Sequence, residues 1–257
     1  MPKLKDKRGA SHGSQLNQSL IDGIEVLQAL AVNEKAFGSR ELARYLDLDV
    51  NRTSRLLRTL AYLGLARQTH NKKYTTGPNM HALAAQSLFA SHAISNAIGS
   101  LESLMHLELI VAYGVLWRDK VTYLYHALPG MSSSEALGRL GHYPATESSI
   151  GLCLLSQLNN EEISNIYNNI DIPGFKSINS LLTEVENIRT QKYAALIKSN
   201  KQNSSSGDVS LAVWVGDTPY AGIALSGKIE KGNISKYIEL LRGKASEIEL
   251  KNQLHKA

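Results

Sequence analysis

Asn51, Arg52, Ser54, Arg55, Arg58 and Thr59 fall within nine residues of one another in the stretch "LDLDVNRTSRLLRTLAYLGLARQTHNKKYTTGP", Leu46 to Pro78. Side chains of these types do one thing well without a cofactor, which is to hydrogen-bond base edges and phosphates. Arginine can make two hydrogen bonds to guanine and asparagine two to adenine. Asn51, Arg52, Arg55 and Thr59 are therefore candidate base readers, with Ser54 beside them. Arg58, Arg67, Lys72 and Lys73 suit phosphate contacts, which fix position without reading sequence. Six Arg or Lys stand here against two acids, Asp47 and Asp49.

Acting together requires a scaffold, and the same stretch encodes one. Its apolar positions recur at helical spacing, predicting a helix from about Asn51 to Leu63 with Thr53, Leu56, Leu57, Leu60 and Leu63 inward. Ahead of it Ser39 is placed to cap a helix from Arg40 to about Leu46, burying Leu42, Ala43 and Leu46. Asp47 to Val50 makes the tight turn between the two. An earlier helix starts near Leu16, with Leu20, Ile21, Ile24, Leu27, Leu30 and Ala31 as its apolar stripe, and Asn33 to Gly38 breaks it. Gly64 sits where a helix ends in left-handed geometry. Two short strands, Leu65 to Thr69 and Lys73 to Thr76, follow around a tip where Asn71 is expected at positive φ. Pro78 then starts a helix running to about Ser91. Helix, tight turn, helix and hairpin is the order of a winged helix-turn-helix, whose second helix enters the DNA major groove while the first braces it.

Charge agrees. Residues 1–80 hold 13 Lys and Arg against 7 Asp and Glu, while the remainder holds 15 against 16. The surplus positive charge of this +5 chain lies wholly in its first third, as expected when one part meets a polyanion. With one cysteine, Cys153, no internal disulfide or multi-thiolate metal site can form, and a reducing compartment is expected. The start, "MPKLKDKRGASHGS", lacks the apolar core of a signal peptide. No apolar run reaches the roughly 20 residues a membrane helix needs. A cytoplasmic protein with no membrane contact is the expectation.

Beyond residue 92 the pattern turns mixed. Glu108 to Trp117 and Lys120 to Leu128 read as a hairpin turning at Arg118-Asp119. Thr146 or Glu147 can begin a helix to Leu158, with two more near Asn160–Asn168 and Ser180–Gln191. Val209 to Val215 and Tyr220 to Ser226 form a second hairpin around Gly216-Asp217, and Asn233 caps a last helix to about Leu250. Strands alternating irregularly with helices imply an α+β domain with a mainly antiparallel sheet. The organisation predicted is a disordered basic tail (1–15), a winged helix-turn-helix (16–77), a linker helix (78–92) and a second domain (93–257). Within the last, Lys198 to Ser206 reads as a flexible loop. Trp117 and Trp214 read as core.

The segments "QSLIDGIEVLQAL", "SRELARYLDLDVNRTSRLLRTLAYLGL" and "KKYTTGPNMHALA" resemble, in order and spacing, the first helix, helix-turn-helix and wing-to-linker junction of the IclR-type bacterial transcriptional regulators. Asp47 stands where that family usually has glycine, and aspartate tolerates left-handed geometry better than most residues. Further on, "SSIGLCLL" from Ser148, Lys192-Tyr193 and "ALSG" from Ala224 echo the family's effector domain, while Ser210 stands at its cysteine position. The resemblance implies a GAF-like effector and oligomerisation domain, a homodimer or dimer of dimers, and an inverted-repeat DNA operator. It also implies a small organic-acid or sugar-acid effector that modulates operator affinity, most simply in a repressor. Ser148, Ser149, Gly151, Ser210 and Ser226 are the candidate effector residues. Hydroxyls and Gly151 in the first turn of a helix leave backbone N–H groups that favour an anion.

Enzymatic readings find less support. The eight histidines are scattered without metal-ligand spacing, no glycine-flanked nucleophile surrounds Ser148 or Ser149, and no phosphate loop occurs. No metal or cofactor is expected, and Cys153 reads as a small buried hydrophobe. The alternative kept open is a small-molecule enzyme whose winged helix serves only dimerisation. Outward-facing Arg52 and Arg55 have no role in such a module.

Overall fold

Asn17 decides where the first helix begins. Its side-chain carbonyl accepts the Ser19 and Leu20 N–H groups at 3.1 and 3.2 Å, donors that α1 (Gln18–Val32) cannot satisfy internally. The computed structural model describes residues 16–138, 141–168, 170–198, 208–216 and 220–255. The chain divides between Ser91 and His92 into two compact units. The basic tail, most of the Lys198–Ser206 loop and Asp217 lie outside the described residues.

In the first unit α1 is followed by α2 (Ser39–Leu46), α3 (Val50–Tyr62), the antiparallel pair β1 (Ala66–Gln68) and β2 (Tyr74–Thr76), and α4 (Asn79–Ser91). The turn before α3 works because Asp47 takes φ 52°, as a glycine would. Asp49 then caps α3, its carboxylate accepting the Arg52 N–H at 2.8 Å. Leu42, Leu46, Leu57 and Leu60 close the core with Val26, Ala29 and Leu30 of α1, and each fully buried leucine contributes roughly 1.5–3 kcal/mol. Gly64, at φ 69°, ends the helix. Phe37 adds a bridge to Tyr74, exchanging backbone hydrogen bonds of 2.8 and 2.7 Å.

Several local expectations need correction. Ser39 begins α2 rather than capping it; Gly38 holds the cap position, with its N–H donating to the Glu41 carboxylate. Lys72, not Asn71, takes positive φ at the hairpin tip. Leu63 is half exposed beyond the end of α3. The largest difference concerns α1, whose expected stripe is split. Leu27 and Leu30 are buried, but Leu16, Leu20 and Ile24 are exposed by 75, 64 and 40%, while Asp22 and Glu25 are buried beside Val26. On α4 no residue is buried; Leu83, Leu88 and Phe89 are exposed on an apolar helix.

The second unit opens with α5 (Ile98–Glu102), then β3 (Ile110–Trp117), β4 (Lys120–Ala127), α6 (Ser133–Ala136), β5 (His142–Pro144), α7 (Ser149–Leu155), α8 (Asn160–Ile166) and α9 (Ile178–Gln191). It ends with β6 (Ala194–Lys198), β7 (Asp208–Val215), β8 (Ala221–Lys228) and α10 (Ile234–Leu254). The strands form one sheet in the order β5-β4-β3-β8-β7-β6, every adjacent pair antiparallel. This is the α+β architecture expected, enlarged by β5 and β6. Lys192, at φ 61°, ends α9 and turns the chain into β6.

Strand alternation sends two kinds of side chain to the two faces. Val111, Tyr113, Leu211, Val213, Ile223 and Leu225 pack with Leu241 and Ile248 of α10. The other face carries a row of small residues in register, Ala112–Ala224–Ala212–Ala194. They let α7 lie close, so that Ile150, Leu154 and the fully buried Cys153 pack against them. Burial pushes the Cys153 thiol well above its usual range, as befits a hydrophobe. Trp117, expected in the core, is 46% exposed at the strand end.

Candidate nucleic-acid interface and effector cavity

Burying Thr53, Leu57 and Leu60 leaves the opposite face of α3 to solvent. Asn51, Arg55, Arg58 and Thr59 are exposed there, with Ser54 at intermediate depth. Arg55, Arg58, Thr59 and Tyr62 surround one shallow depression on this face. Tyr62, 90% exposed, was not singled out from sequence, although its place seven residues after Arg55 puts it on the same face. Thr59 donates to the Arg55 carbonyl at 3.1 Å and Arg58 Nε to the Ser54 carbonyl at 3.4 Å. Arg52 differs from the others. Its Nε lies 2.6 Å from the Asp22 carboxylate of α1, and its side chain remains 32% exposed.

Arg67, Lys72 and Lys73 lie on the exposed hairpin, away from its buried Ala66 and Tyr74. The tip is closed by Thr69, whose N–H and hydroxyl both donate to the Lys73 carbonyl. Lys73 Nζ lies 3.6 Å from the Glu41 carboxylate of α2, both side chains about half exposed. At that exposure the pair adds little stability and leaves the ammonium available to a phosphate.

The serines named from sequence come from α7, β7 and β8, and four of them meet. Ser148, Ser149, Ser210 and Ser226 line one cavity of about 370 Å³. Its floor is the sheet row Ile110–Ser226–Ser210–Leu196, next to the alanine row beneath α7. Ser149 and Ser210 share a 2.7 Å hydrogen bond. Ser148 Oγ accepts the Gly151 N–H at 3.1 Å and pairs with the Tyr123 hydroxyl at 2.9 Å. Burial raises the Tyr123 phenol above its ordinary value, so it stays protonated at neutral pH.

Tyr123, His126, Tyr143, Glu147, Asp208 and Gly227 complete the polar part of the wall. Nothing local in the sequence marked them, since they converge only through the sheet register and the turn before α7. Gly151 lies outside the lining, and its N–H is already satisfied by Ser148. A β-carbon on it would fall 2.2 Å from the Ala145 carbonyl oxygen. Gly151 is closely packed in this fold, and its N–H is taken by the Ser148 cap of the seven-residue α7. Trp214 likewise does not line this cavity; it borders a separate groove with Arg242 and Glu249.

The first unit is therefore a winged helix-turn-helix, a class of domain that binds DNA, with a basic exposed face on α3, and the second is an α+β unit with a polar cavity. Residues 19–70 match the model of the IclR helix-turn-helix domain. No curated protein sequence matches the chain significantly. Among solved structures, an IclR family transcriptional regulator from Brucella abortus superposes with a TM-score of 0.70 at 19% identity, covering 92% of this chain and 93% of its own. An IclR homolog from Microbacterium hydrocarbonoxydans, complexed with 4-hydroxybenzoate, gives 0.62 at 18% over 92% and 100%. The Agobacterium tumefaciens repressor BlcR gives 0.51 at 22% over 91% and 96%. Residues 19–70 thus carry the IclR helix-turn-helix domain, and the chain shares the fold of these structures along most of its length. Among the described residues, no helix is long and apolar enough to cross a membrane.

Proposed function

We propose that the chain is a cytoplasmic repressor that binds an inverted-repeat operator as a homodimer and is modulated by a small effector held in the second unit. The observation that carries the effector reading is the convergence of Ser149, Ser210 and Ser226, from three separate elements, on one cavity. The organic-acid and sugar-acid class is refined by the wall. Glu147 and Asp208 disfavour a bare carboxylate but accept hydrogen bonds from ligand hydroxyls, while the serines and His126 can meet an acid group. A hydroxylated acid fits this division, and the 4-hydroxybenzoate complex of the Microbacterium homolog supports the same class. The DNA reading rests on the basic exposed face of α3. Dimerisation through α1 and α4 is supported by the exposed Leu20 and Ile24, one turn apart on α1, with Leu16 just ahead of the helix, and by the apolar exposed Leu83, Leu88 and Phe89. A dimer of dimers extends the same proposal.

A thermal-shift panel of hydroxylated acids against their deoxygenated counterparts tests the effector. A ligand at a hundred times its Kd is expected to add about 2.7 kcal/mol of stability, lost in the Ser149→Ala, Ser210→Ala double variant. The same ligand is expected to weaken operator binding, typically by about 5- to 150-fold for a coupled pair of sites. Stabilisation that survives the double variant moves the site elsewhere. No response across the panel favours a ligand-free domain.

A further inference from the structure

Asp22 is a carboxylate in the wrong place for a winged-helix core. It lies on the inner side of α1, 2% exposed, where helices of such domains ordinarily bury apolar groups. Two groups hold it. Arg52 Nε, from the first turn of α3, lies 2.6 Å from one oxygen, and Gln18 Nε2 donates to the other at 2.8 Å. Stability alone gives little reason for this arrangement, because a buried ion pair can often be replaced by apolar residues of similar volume without loss.

The geometry points to a different use. We propose that Asp22 is a positioning residue for DNA recognition, fixing the Arg52 guanidinium so that its two Nη groups face outward as a pre-set fork. This rests on the reading of α3 as the DNA-reading helix. The guanidinium is planar with five donors, and Asp22 meets it at Nε as a close ion pair, with no hydrogen bond between Nε and Oδ2, so that the hold is on the position of the cation. The Nη donors are what a guanine O6 and N7 require. Arg52 also lies at the N-terminal end of α3, the end from which a recognition helix contacts bases. A fork already held in place loses less rotamer freedom on binding than one that must be ordered. Arg55, one turn later and exposed, is without that hold from α1's Asp22.

The test is binding-site selection from a random duplex pool with the full chain, comparing wild type, Asp22→Asn, Arg52→Ala and Arg52→Lys, with melting temperatures followed in parallel. Asp22→Asn keeps the size of the side chain and an acceptor for Gln18. It is expected to relax, by about tenfold, the preference at the one half-site position that Arg52→Ala also relaxes. The combined Asp22→Asn, Arg52→Ala variant is expected to do no more than Arg52→Ala alone, because the two act through one group. Arg52→Lys keeps a cation beside Asp22 without the fork, so it should remain folded and lose the same preference even if Asp22→Asn does not fold. A lower melting temperature with every base preference intact in Asp22→Asn, or a wild-type preference retained by Arg52→Lys, overturns the inference. A wild type that enriches no sequence overturns the reading of α3 itself, and the inference with it.

Discussion

Arg55→Ala is expected to weaken binding to the cognate operator by about 1–3 kcal/mol and to flatten base preference at one position of each half-site. Arg55 is exposed on the outer face of α3, so its loss removes contacts to DNA without disturbing the core. Arg52→Ala should cost a similar amount at the operator but is a less clean probe. It strips the buried Asp22 carboxylate of its cation, which leaves a charge paired only with Gln18. Lys72→Ala and Lys73→Ala should behave differently. Both lie on the exposed hairpin and are assigned to phosphates, so all sequences should weaken alike. The slope of log affinity against log salt should fall by about one unit for each. Fluorescence anisotropy on operator and scrambled duplexes, across a salt series, separates the two classes. If Arg55→Ala lowers affinity for both duplexes equally, the reading face has been misplaced.

Gly151→Ala is expected to destabilise the second unit more than any serine change in the cavity. The new β-carbon would fall 2.2 Å from the Ala145 carbonyl oxygen and 2.5 Å from its Cα. Both are backbone atoms, so no side-chain rotation relieves the clash, and α7 and the turn that carries Ala145 must move apart. Overpacking of this kind typically costs about 1–3 kcal/mol, and more where the neighbour cannot yield. In a domain of this size each kcal/mol lowers the melting temperature by roughly 2–4 °C. Ser149→Ala and Ser210→Ala remove one shared hydrogen bond at a half-buried site, worth about 0.5–1.5 kcal/mol. Calorimetry of the full chain checks the order. A Gly151→Ala variant of unchanged stability that has lost ligand stabilisation would make the Gly151 backbone a ligand contact, against its packing role.

These contrasts show what local sequence carries and what it does not. The helix-turn-helix was legible because its determinants are local: the leucine spacing of α3, the left-handed Asp47, Gly64 at the helix end and the hairpin behind it. The same locality misled on α1. Leu20 and Ile24 look inward by hydropathy, but Asp22 and Glu25 are the residues buried, because Arg52 supplies the charge that lets Asp22 be there. No periodicity in α1 can report a partner thirty residues away. The two missed strands follow the same logic. His142 to Pro144 is too short to alternate and becomes a strand only by pairing with Lys120 to Thr122. Ala194 to Lys198 is placed by its register with β7. Ser148, Ser149, Ser210 and Ser226 could be named by resemblance, whereas Glu147, Asp208 and the tyrosines of the same wall could not. Gly151 stands in a first helical turn, whose backbone N–H groups can favour an anion, and its close packing against the backbone of Ala145 is visible only in the fold.

If α3 reads bases in the major groove through arginine, in a symmetric complex, the guanines it contacts must keep N7 free. Methylation interference on a selected operator tests this most directly, because methylating guanine N7 blocks the acceptor that arginine uses. Methylation at guanines in two symmetry-related half-sites, one or more helical turns apart, is expected to abolish binding by the full chain. Binding that tolerates N7 methylation throughout the site and responds to salt alone would contradict it.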